Sequence, residues 1–267
     1  MFNELSDYHI HTAYRPGDDG STEMTVAFLA DYAQKHGYVK MGLTPHFGLN
    51  YSNEFLYQIK DDIEKTETDI PILLGVEANF IDCGQNIAVD DSTYSQLDYI
   101  IGAADHFNWE DVEKPPLAFS AMIDYQHQKL LNICKHPWVD MISHPWLGLM
   151  LLTTRGYLPD HQPLKCLFDV PESYFHEFAS AAALSNTAVE VSGSYVYEYP
   201  QKTDKPEEFL ESLANFYHIL VEHKVALTIT SDAHNPSQLD NAKKARDFLN
   251  SIGLEKLQLW YPGSTLR

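Results

Sequence analysis

Apolar runs of four to seven residues alternate with longer stretches whose apolar positions recur at helical spacing. The short runs predict strands at Tyr8–His11, Lys40–Thr44, Ile70–Val76, Tyr99–Ala104, Val139–Ser143, Ala188–Val191 and Ala226–Thr230. The stretches between them predict helices at Thr22–His36, Phe55–Thr66, Ser120–Lys135, Ser173–Leu184, Pro206–His223 and Ser237–Ser251. Gly37 is a fitting stop for the first helix, and Pro206 followed by Glu207 and Glu208 suits the start of another. Strands alternating with helices imply parallel strands joined by helical crossovers. About seven such units suggest an α/β barrel, closed or nearly so. A length of 267 residues fits one barrel domain over 1–267. Two stretches break the rhythm, Phe107–Leu117 and Trp146–Val170. Both are expected to be loops facing a substrate, because loops after strands carry the chemistry of such barrels.

Composition narrows the function. There are 18 Lys and Arg against 38 Asp and Glu, a formal net charge of −20. So acidic a surface repels a phosphate backbone and argues against broad nucleic-acid binding. A small anionic substrate is compatible with it if the site carries positive charge of its own. Cys83, Cys134 and Cys166 show no CxxC spacing and read as reduced thiols. Residues Met1–Asp7 lack a basic and apolar leader pattern, and no apolar run approaches the roughly 18 residues of a membrane span. A cytoplasmic protein is therefore expected.

The 13 histidines are abundant, and several stand at the ends of the predicted strands. His9 and His11 close the first, and their spacing on a strand puts both side chains on one face. His46 follows the second, Glu77 the third, His106 the fourth and His144 the fifth, while Asp232 and His234 follow the seventh. Each piece alone has an ordinary explanation. His-Pro is a common turn, and Ser231-Asp232-Ala233-His234 could cap the helix after Pro236. Together they place ligand-type residues at one end of a parallel barrel, which favours a metal site. Mixed imidazole and carboxylate donors suit Zn, Mn or Fe better than Ca or Mg. So many donors exceed the needs of one ion, and two or three ions sharing Glu77 is the economical arrangement.

The ordered set HxH, Thr44-Pro45-His46, Gly75-Val76-Glu77, His106, His144-Pro145 and Ser-Asp-Ala-His resembles the polymerase-and-histidinol-phosphatase (PHP) family of metal-dependent phosphoesterases. The resemblance runs from His9 to His234, nearly the whole chain. It implies a distorted (β/α)7 barrel with a trinuclear metal site at the C-terminal ends of the strands. It assigns one ion to His9, His11, Glu77 and Asp232, and a second to Glu77, His106 and His144. A third would take His46, His234 and Asp18, with Asp19 the competing choice. The implied activity is hydrolysis of a phosphomonoester by a hydroxide bridging two divalent ions. Asp232 or His234 would orient that hydroxide or protonate the leaving oxygen. Bound cations would also reverse the local sign of charge inside an acidic protein.

Within the family, the length and the positions of His106 and His144 look like stand-alone histidinol-phosphate phosphatases, and a role in histidine biosynthesis follows as the specific expectation. Two stretches depart from that group. Arg15-Pro16-Gly17 replaces a Cys-Pro-His-like turn, and Glu190-Val191-Ser192-Gly193-Ser194-Tyr195 replaces an Asn-Thr-Ala-Gly-Leu-like segment. Glu190 is expected to support the site rather than ligate. The first part of the chain also resembles PHP-type protein-tyrosine phosphatases, and a nucleotide phosphodiesterase is a further alternative. An amidohydrolase would share HxH and a late Asp, but no bridging lysine is evident. A metal-binding regulatory module without turnover is the alternative of another class. Arg15 and Arg155 are the arginines in predicted site-facing loops, where a guanidinium would match phosphate. Tyr14, Trp109, Trp146, Tyr157, Tyr195 and Tyr197 are candidate walls for an organic leaving group.

Overall fold

The computed structural model describes residues 4–15, 20–49, 51–150, 155–254, 257 and 259–264. The candidate ligands Asp18 and Asp19 lie outside the described residues. The strands are β1 (Leu5–Ile10), β2 (Tyr38–Leu43), β3 (His46–Phe47), β4 (Ile72–Asn79), β5 (Tyr99–Ala103), β6 (Met141–Ile142), β7 (Ala188–Ser192) and β8 (Leu227–Thr230). They run in the order β1-β2-β4-β5-β6-β7-β8, every pair parallel, with β3 paired to β4. β2 and β3 are one strand interrupted at Thr44-Pro45, since proline offers no N–H to a ladder. At the interruption the Pro45 carbonyl still accepts from Glu77 N at 3.1 Å, which keeps His46 level with Glu77.

The first and last strands meet just beyond β8. Ile10 bridges Ala233 in parallel, His11 N donates to the Ala233 carbonyl at 2.9 Å, and Asp232 N donates to His9 O at 2.9 Å. The expected nearly closed parallel barrel is therefore found, and its closure falls among the candidate ligands.

The crossovers are α1 (Val26–His36), α2 (Glu54–Lys65), α3 (Asp91–Tyr94), α4 (Phe119–Cys134), α5 (Glu172–Ser185), α6 (Pro206–Glu222) and α7 (Asn241–Ser251). α1 begins later than its pattern predicts because the Thr25 side chain accepts from Phe28 N at 3.3 Å and caps it there. It ends at Gly37, whose φ of 75° is left-handed, as a helix stop requires. No helix among the described residues is long and apolar enough to cross a membrane.

The barrel is plugged at its N-terminal end. Tyr8, Tyr99, Ile101, Met141, Ala188 and Trp260 form a buried cluster there, including the first residues of β5, β6 and β7. Tyr99 Oη donates to Tyr8 O at 2.7 Å. A Cβ on Gly42 would lie 2.0 Å from that oxygen, and one on Gly75 would lie 2.8 Å from the ring, so glycine at both positions makes room for Tyr99. With one end filled by side chains, the opposite end is left for polar residues.

Candidate metal centre

Strand alternation brings His9 and His11 to the same side, and both are fully buried. β3 supplies His46, β4 supplies Glu77, and the turn after β5 supplies His106. His144 and Asp232 follow β6 and β8 on backbone with φ of 22° and 55°, a left-handed region that L-residues occupy at a cost. Trp146, two residues beyond His144, is also left-handed, at φ 71°. Its fully buried ring stacks on His127 and meets Phe175 edge-on. It belongs to the core, which corrects its expected place in a pocket wall.

Glu77 is the centre of the arrangement. Its Oε2 lies 3.3 Å from His9 Nε2, 3.7 Å from His11 Nε2, 3.2 Å from His46 Nε2 and 3.5 Å from His106 Nε2. Its Oε1 lies 3.3 Å from His144 Nε2. Asp232 Oδ1 sits 3.7 Å from His9 Nε2 and 3.4 Å from His11 Nε2. The His234 ring stacks on His11 with centroids 3.9 Å apart, and His46 lies 4.2 Å from His11 on another side. Among the described residues, three groups have donor atoms close enough to share an ion: His9, His11 and Glu77; His46, Glu77 and His106; and His11, His46 and His234.

These separations suit shared ions. Two donors each about 2.1 Å from an ion at tetrahedral angles stand roughly 3.4 Å apart. His9 Nε2 and Glu77 Oε1 are also buried with no hydrogen-bond partner, a costly state for polar atoms unless something else satisfies them. The donor set and these two atoms fit divalent cations.

Outer contacts aim the imidazoles. His9 Nδ1 donates to Glu190 Oε1 at 2.6 Å, which leaves the Nε2 lone pair pointing to the centre. His144 Nδ1 donates to Asp105 Oδ2 at 2.9 Å, and His106 Nδ1 donates to Asn79 Oδ1 at 2.6 Å. Glu190 thus has the supporting part that its place in the sequence suggested. Sequence reasoning missed Asp105 and Asn79. Asp105 carried a usable signal, a carboxylate immediately before His106 at a strand end. Asn79, two positions beyond Glu77 on the same strand face, carried only its register.

The buried carboxylates and imidazoles shift one another strongly. Burial opposes a charge on His9, yet Glu190, Glu77 and Asp232 outweigh it and hold the imidazole well above its ordinary range. Burial likewise opposes charge on His144, and Asp105 leads the carboxylates that raise it. Burial and neighbouring histidines hold His11 well below its ordinary range, and burial draws His106 down to about 4.

Two features flank the centre. On one side Asp232 and His234 border a cleft whose wall also includes Arg155, Tyr195, Glu198 and Lys202. On the other, the Trp109 ring stacks on His106, and the Arg15 guanidinium lies 4.8 Å from Trp109 and 4.1 Å from the Tyr51 ring, with a hydrogen bond to Tyr51 Oη. Of the aromatic candidates, Trp109 and Tyr195 stand at the site. Tyr14 instead hydrogen-bonds Asp62, and Tyr157 and Tyr197 are exposed. The Trp146–Val170 segment is also less of a substrate loop than expected. Leu147, Leu149, Leu158, Leu164 and Leu167 are buried in the core, and among its described residues Arg155 lines the cleft.

The fold and these residues define a parallel α/β barrel with a histidine-carboxylate centre at the C-terminal ends of its strands. The chain is 26% identical to a probable phosphatase of Acetivibrio thermocellus over 141 residues, about half of each chain (52% and 53%). It is 24% identical to a probable phosphatase of Clostridium botulinum over 258 residues, covering 94% of this chain and 87% of the relative. The crystal structure of histidinol phosphate phosphatase from Lactococcus lactis, complexed with Zn, L-histidinol and phosphate, superposes with a TM-score of 0.58. That match has 14% identity and covers 94% of both chains, so it speaks to the fold. No protein-family model matches the chain. The PHP-type resemblance read from the sequence agrees with the phosphatase relatives and with this fold.

Proposed function

We propose that this protein is a metal-dependent phosphatase that hydrolyses a small phosphomonoester, with histidinol phosphate the first substrate to test. The observation that carries the reading is Glu77, a buried carboxylate facing the Nε2 atoms of five histidines at 3.2 to 3.7 Å. The names of the relatives support it. On this reading one barrel domain, residues 1–267, holds the whole site.

His9, His11, Glu77 and Asp232 would hold one ion, and Glu77, His106 and His144 a second. His46 and His234 would hold a third with Asp18 or Asp19. Divalent Zn, Mn or Fe bound there would supply an activated water near neutral pH and neutralise charge on the phosphoryl group. The chain's own residues do the rest. Glu190, Asp105 and Asn79 fix the imidazole tautomers. Asp232 and His234 border both the centre and the cleft, and we assign them the protons of the attacking and departing oxygens. Arg155 and Arg15 are the phosphate- and substrate-binding cations, one on each side.

Exchange of His9 and His11 together for alanine tests the proposal. The expected result is a folded protein that binds less metal and releases no phosphate from a metabolite panel. A double variant that retains full turnover would contradict it.

A further inference from the structure

After β7 the chain leaves the family pattern with Gly193-Ser194-Tyr195. Here the backbone forms a π-helical turn, Ser194–Glu198, a conformation that is rare and concentrates at functional sites. The turn is tightly constructed. A Cβ on Gly193 would fall 2.1 Å from Asn241 O, so only glycine lets the turn lie against the start of α7. Ser194 Oγ donates to Ser231 O at 3.0 Å, which ties the turn to the segment carrying Asp232.

These contacts set Tyr195 at the site. It is 3% exposed, its ring centroid lies 5.2 Å from that of His144, and it shares the cleft wall with Asp232 and His234. Three buried tyrosines direct their hydroxyls to backbone carbonyls, Tyr99 to Tyr8 O, Tyr38 to Leu239 O and Tyr217 to Glu190 O, whereas Tyr199, farther along the cleft wall, does not. Tyr195 makes no hydrogen bond with any described residue. A hydroxyl that bonds no described residue, on the wall of a cleft beside the reacting centre, is placed for a partner from outside.

We propose that Tyr195 is a substrate-contacting catalytic residue whose hydroxyl donates a hydrogen bond to the oxygen of the departing alcohol. The inference rests on the phosphatase reading above. The cleft that Tyr195 borders also holds Asp232 and His234, to which the protons of the reaction are assigned, so the departing alcohol is placed along it. In the reaction a water oxygen forms the new P–O bond. The bond from phosphorus to the alcohol breaks with its electron pair on the alcohol oxygen, which takes up a proton from Asp232, His234 or solvent. Tyr195 keeps its own proton and stabilises the charge that develops on that oxygen. The help matters most for a poor leaving group, and an aliphatic alkoxide is far poorer than a nitrophenolate.

Metal-loaded wild type and Tyr195→Phe are compared on p-nitrophenyl phosphate, phenyl phosphate and the best alkyl phosphate of a metabolite panel. The variant is expected to lose kcat on the alkyl ester on the order of 10²-fold, with little change on p-nitrophenyl phosphate. Metal content by elemental analysis and inhibition by inorganic phosphate should be unchanged, because the phenyl ring still packs on His144. An equal loss on all esters, or none on any, overturns the assignment of Tyr195 while leaving the phosphatase reading intact. Collapse of the variant's fold also overturns it, since a hydroxyl that bonds nothing in the protein cannot be needed for folding. Wild type that cleaves none of the esters would instead defeat the phosphatase reading on which the inference rests.

Discussion

Glu190 joins His9 to the turn before Trp146: one carboxylate oxygen accepts from His9 Nδ1 at 2.6 Å, the other from the His144 backbone N–H at 2.7 Å. Thr230 Oγ1 also donates to it at 2.6 Å. Three strand ends are thus tied by one buried side chain. In Glu190→Gln an amide N–H must face one of these donors, and the charge that favours the His9 Nδ1–H tautomer disappears. Metal affinity is expected to fall roughly 10- to 100-fold with the fold intact. A metal titration with a competing chelator checks this.

Gly148 is fixed by Asp105. A Cβ at 148 would lie 1.5 Å from Asp105 Oδ2, the oxygen that accepts from His144 Nδ1, and 2.3 Å from Asp105 Cβ. Gly148→Ala must therefore displace Asp105 and release the His144 ring. The expected stability loss is about 1–3 kcal/mol by chemical denaturation, with reduced metal content. A variant as stable and as metal-rich as wild type would contradict this coupling.

Lys129 is a buried lysine that makes no ion pair with any described residue. Its Nζ donates to Phe80 O at 3.0 Å and lies 4.8 Å from the Phe107 ring centroid. Burial lowers its pKa to about 8. The unfolded chain would keep this lysine protonated up to about 10.4, so between these values the unfolded state binds the extra proton. Stability from this group therefore rises with pH over that window and is lost as pH falls toward 8. The difference in unfolding free energy between wild type and Lys129→Met should increase with pH from 8 to 10.5. A flat difference would show that Lys129 titrates normally.

Arg155 and Arg15 should separate by kinetics. Arg155 is exposed on the cleft wall, so Arg155→Ala is expected to raise KM for the best substrate several-fold with metal content unchanged. Arg15 is 6% exposed and stacked on Tyr51 and Trp109. Arg15→Lys removes the planar face that fits between those rings, and melting should show a stability loss as well as a kinetic one.

Much of this was legible in the sequence because period and spacing report directly on a parallel barrel. The seven expected strands are present, and His9, His11, His46, Glu77, His106, His144, Asp232 and His234 converge from strand ends scattered along the chain. The alternative reading of Asp232 as a helix cap fails on geometry. Asn235 accepts from Ser237 N at 3.1 Å and caps that turn, while Asp232 faces His9 and His11. Other features had no periodic signal. β3 is two residues long and α3 four, too short for a pattern to form. The segment after His144 has no regular period, so the burial of Leu147, Leu149, Leu158, Leu164 and Leu167 left no signal in the sequence. Trp146 left none either, since a left-handed φ at a tryptophan cannot be read from neighbours in sequence. Asp105 and Asn79 depend on which ring nitrogen they meet, a matter of three-dimensional aim.

The most direct test of the central claim is phosphate release from a panel containing histidinol phosphate, phosphotyrosine and nucleotides, assayed with Zn-, Mn- or Fe-loaded protein and again after chelation. The expected result is release from one small phosphomonoester that chelation abolishes and metal restores. Release unaffected by chelation, or none with any ion on any ester, would contradict a metal-dependent phosphatase built around Glu77.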